Sequence, residues 1–133
     1  MDRDVSSYYE LACEQFKLAL EAEPDTLDIL QRLGDVYFSR SRLPLDSSKA
    51  IEAQLVADAK TCYLNGLKTE PEDMALMIRL AQVYHVQSQT DELKRLVADW
   101  HALGGDADLL HDDDDVFEME FIDKVTELLK TSA

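Results

Sequence analysis

The sequence predicts an all-α protein, and three observations carry the prediction. Across 133 residues there are only four glycines and three prolines, few for a β protein that must turn every ~8 to 12 residues. Apolar residues recur at three- and four-residue spacing along most of the chain, the period of helices that bury one face. Finally, ACEQFKLALEAEP (12–24) and AKTCYLNGLKTEP (59–71) share the pattern A-x3-[FY]-x2-[AG]-L-x2-E-P at an offset of 47 residues, the mark of a chain assembled from repeated units.

The elements follow in order. A first helix is expected from about Val5 to Ala22, with Leu11, Ala12, Phe16, Ala19 and Leu20 at helical spacing, and Pro24 ends it. A second begins after Pro24-Asp25 and carries Leu27, Leu30, Leu33, Gly34, Tyr37 and Phe38 to about residues 39–42. SRSRLPLDSS (39–48) then reads as the chief internal loop, with Asp46, Ser47 or Ser48 available to cap the next helix. The third helix is expected over Lys49 to Lys68, on a stripe of Ile51, Leu55, Ala59, Tyr63, Gly66 and Leu67. Pro71 opens a fourth with Met74, Met77, Leu80, Ala81 and Tyr84, and Thr90-Asp91-Glu92 opens a fifth that runs to the Gly104-Gly105 stop. Residues 104–115 read as an acidic linker. A sixth helix over 116–131 sets Phe117, Phe121, Val125 and Leu128 on one face.

Charge bounds the partners. With 28 acids against 13 bases the formal charge is −15. Nucleic acid is therefore an unsuitable partner, because phosphate binding needs clustered Lys and Arg. Basic protein segments are the electrostatic match, and a partner with apolar anchors is expected as well. Cys13 and Cys62 supply no disulfide framework and are expected as thiols in a reducing, cytoplasmic compartment. No apolar run of ~18 residues and no leader follows Met1 in the chain as given, so neither membrane insertion nor export is expected.

The second half of the repeated pattern identifies its class. Leu30-x2-Leu33-Gly34-x2-Tyr37 matches Met77-x2-Leu80-Ala81-x2-Tyr84, again 47 residues apart. Joined to A-x3-[FY]-x2-[AG] and a closing proline, this order resembles the tetratricopeptide repeat (TPR) family. The central unit supplies Leu30, Leu33, Gly34, Tyr37, Ala59, Tyr63, Gly66 and Pro71. The resemblance spans roughly residues 9–103 and implies a short TPR-like solenoid of helical hairpins, about 2.5 repeats over 1–103, with the sixth helix as its cap. Three departures stand out. The family repeat is about 34 residues, so this chain carries about 13 more, in an insertion within 39–58. The chain starts on a second helix, which leaves a first-repeat face open to a homo-oligomer contact. Trp100 stands where the family has a small residue.

Catalytic patterns are missing from the sequence. His85, His101 and His111 share no metal-ligand spacing with one another or with the cysteines, and a calcium loop begun at Asp106 fails at Leu110, His111 and Phe117. With no nucleophile motif and no phosphate-binding glycine loop, the expectation is a non-enzyme with no metal and no cofactor. By resemblance, the first helices of successive repeats line a concave groove, which here would be Asp28, Gln31, Asp35 and Phe38, then Ala75, Ile78, Gln82 and His85. The family's carboxylate clamp is not matched at Gln31, Asp35, Ile78 and Gln82. A second docking candidate is the insertion, where Arg40 and Arg42 flank the apolar tip of Leu43 and Leu45. The leading expectation is an adaptor or scaffold that binds a protein segment within a larger complex. The alternatives are a small acidic secretion or assembly chaperone and the interaction domain of a longer protein.

Overall fold

The computed structural model describes residues 14, 15, 18, 27–42, 49–111 and 117–131. Every regular element among them is helical: α1 (Leu27–Ser41), α2 (Lys49–Thr69), α3 (Met74–Val86), α4 (Thr90–Ala102), α5 (Ala107–Leu110) and α6 (Met119–Thr131). Glu14, Gln15 and Leu18 are also helical and exposed, while the rest of the expected first helix lies outside the described residues. The chain divides into two compact units, Met1–Pro71 and Glu72–Ala133.

In the first unit α1 packs along α2. Its buried residues are Leu30, Leu33, Gly34, Tyr37, Phe38 and Ser41, a stripe at three- and four-residue steps that a helix places on one face. Asp28 in its first turn and Arg40 in its last agree in sign with the helix dipole. The opposing stripe on α2 is Leu55, Val56, Ala59, Cys62, Tyr63 and Gly66. Ile51, expected on that stripe, is instead 50% exposed, and Lys49, Ala50, Ala53 and Gln54 are exposed too. Among the described residues, the buried positions of α2 begin at Leu55.

Two contacts set the spacing of this pair. A β-carbon built on Gly34 would lie 2.5 Å from Cε1 of Tyr63, so the aromatic ring rests directly on the α1 backbone. The Tyr63 hydroxyl then donates to Asp35 Oδ1, which ties the far end of that ring to the next residue of α1.

In the second unit α3 is buried almost all round, through Leu76, Met77, Ile78, Leu80, Ala81, Gln82 and Val83. That is the pattern of a central helix. Asp73 caps it, accepting at Oδ1 from the Leu76 N–H at 3.1 Å. α4 packs on α3 and buries Leu93, Val97 and Trp100.

Both helices end in the same hydrogen-bonded stop. After α3, Ser88 N–H donates to His85 O and Gln89 N–H to Tyr84 O. After α4, Gly104 N–H donates to His101 O and Gly105 N–H to Trp100 O. This is the Schellman arrangement, whose turning residue is left-handed. Ser88 has φ 59° and Gly104 φ 108°.

The segment expected as a linker is structured in part. Asp106 caps the single turn of α5 through the Asp108 N–H, and Ala107 and Leu110 are buried. Residues 112–116, which hold the acidic run, lie outside the described residues. α6 packs on α4 and α5, and Phe117, Phe121, Val125 and Leu128 are all buried as expected, with Ile122 beside them. Trp100 is 3% exposed, and Gly105 lies against its ring where a β-carbon would overlap Cδ2 and Cε2.

Candidate functional site

The eight residues carried over from the family groove fall in both units, Asp28, Gln31, Asp35 and Phe38 in the first and Ala75, Ile78, Gln82 and His85 in the second. In the first unit they lie along α1 at the spacing of one helix face. Asp28 is exposed, Gln31 and Asp35 are half-buried, and Phe38 is 5% exposed. Asp28 pairs with Arg32 one turn on, Oδ2 to Nε 3.1 Å, with both side chains well exposed. Such a pair in open solvent is weak and can be exchanged for a partner's charge. Asp35 is held more firmly, because it accepts from the Tyr63 hydroxyl. The accessible part of this face is therefore acidic and amide in character, with Phe38 behind it in the core.

The second-unit residues are placed differently. Ala75 is half-buried, Ile78 is 4% exposed and Gln82 2% exposed. Gln82 Oε1 accepts from the Glu118 N–H at 2.8 Å. The neighbouring positions meet the same segment: Arg79 sets its guanidinium 5.6 Å from the Phe117 ring centre, and the half-buried His85 ring lies 5.9 Å from that of Phe121. Arg79, Gln82 and His85 are spaced i, i+3, i+6 along α3, and they are met by Phe117, Glu118 and Phe121. The face expected to receive a partner is, in this unit, covered by the chain's own C-terminal segment. A buried amide needs its hydrogen bond, and the start of α6 supplies it.

The second docking candidate is described only in part. Arg42 places its guanidinium 5.9 Å over the Phe38 ring, Arg40 is half-buried, and Leu43 and Leu45 lie outside the described residues. An open cleft also runs along α2 beside Thr61, Leu64, Asn65, Leu67 and Lys68, a feature that helical periodicity did not single out.

Among the described residues no group of His, Cys, Asp and Glu is arranged to hold a metal ion. Cys62 is a buried thiol. The hydroxyl of Tyr84 is shifted up from its ordinary value of 10.0, first by burial and then by the charge of Glu92. Among the described residues no helix is long and apolar enough to cross a membrane.

Among the described residues this geometry is all-helical, with Asp28 exposed and Gln31 and Asp35 half-buried on α1, and with Gln82 and His85 of α3 met by Glu118 and Phe121. No protein-family model matches the chain, and no curated protein does, so the tetratricopeptide likeness rests on the signature residues alone.

Sequence reasoning missed the Gln82–Glu118 bond because a glutamine on a helix reads as solvated unless its partner is known. The signal that could have found it was the density of apolar residues around it, from Leu76 to Val83, which leaves α3 little polar face to turn outward.

Proposed function

We propose that the protein is a non-enzymatic, TPR-like adaptor that binds a protein segment along α1, with Asp28 and Gln31 as the contacting side chains and Asp35 as a fixed acceptor beside them. The observation that carries this reading is the contrast between the two faces. On α1 Asp28 is exposed in an ion pair with Arg32 and Gln31 is half-buried, whereas on α3 Gln82 and His85 are met by Glu118 and Phe121. The segment that fits is extended or helical, basic, and apolar at one or two anchors, since the chain carries a charge of −15 and complementary charge speeds and orients encounter.

The test is affinity capture from a lysate with three baits, each shown to be folded by circular dichroism. They are the wild type, Asp28→Lys/Gln31→Lys, and Gln82→Met. A partner kept by the wild type and by Gln82→Met but lost by the α1 double variant supports the reading. Gln82→Met leaves the Glu118 N–H without its acceptor and is expected to lower stability by about 1 kcal/mol without weakening capture. If capture instead survives the α1 double variant, the site is not on α1.

A further inference from the structure

We draw no further inference here: the strongest candidate, the open apolar cleft along α2 beside Thr61, Leu64, Leu67 and Lys68, carries nothing because nothing in the structure shows what covers it.

Discussion

Gly34 sets the distance between α1 and α2 by having no side chain, since the Tyr63 ring occupies the place where a β-carbon would stand. Elsewhere in a helix, glycine to alanine is favourable by about 1 kcal/mol. Here the added methyl would force the ring or the helix to move, so Gly34→Ala is expected to destabilise by about 1–3 kcal/mol. The sign of the change in a urea titration is the test: a gain in stability would mean that α1 can shift at no cost. Tyr84 offers a second residue-scale prediction. Its hydroxyl titrates above 10.0 in the folded chain through burial and the nearby Glu92. Above that pH the unfolded state loses this proton first and binds fewer protons, so the contribution of Tyr84 to stability falls as pH rises from 10.0 through the folded value. Stability measured across that window should fall less steeply in Tyr84→Phe than in the wild type.

The two Schellman stops are the same element built with different residues. Gly104 adopts its left-handed turn freely, whereas Ser88 at φ 59° must tolerate its β-carbon there. Ser88→Gly is expected to raise stability by about 0.5 kcal/mol, and Gly104→Ala to lower it by about 1 kcal/mol. Thermal melts of the two variants check both signs. The same pair shows what can be read from residues. The stop at Gly104-Gly105 was legible because glycine announces a left-handed position, but QSQT after α3 announces nothing, and only the hydrogen bonds reveal it. The α1 and α2 boundaries were legible because Pro24, Pro71 and the apolar stripes agree with one another. α5 was not, because one helical turn is too short for periodicity and its buried pair, Ala107 and Leu110, is set among acids. Ile51 failed for a different reason: spacing gives the side of a helix but not how deeply each position on that side is buried. At the candidate site, the α1 positions could be named from the resemblance, while the covering of α3 depended on a contact between residues 36 apart in sequence.

At the scale of the molecule the governing quantity is charge. The unit Glu72–Ala133 holds fifteen acids against five bases, and like charges on a compact body oppose its compactness. Salt shortens the range of that repulsion, to about 8 Å at 0.15 M. Melting temperature is therefore expected to rise when sodium chloride is raised from about 0.02 M to about 0.3 M, whereas association with a basic segment should slow over the same range. A melting temperature that falls with salt would show that attractive ion pairs outweigh the excess of acids.

The placement of Trp100 has a practical consequence. It is the one tryptophan in the chain and sits in the core of the second unit, whereas both cysteines belong to the first, with Cys62 buried on the inner stripe of α2. Intrinsic fluorescence therefore monitors one half of the polypeptide and alkylation of the Cys62 thiol the other, each without an introduced label. Run together during denaturation, they distinguish a molecule that melts in a single cooperative event from one that melts in two.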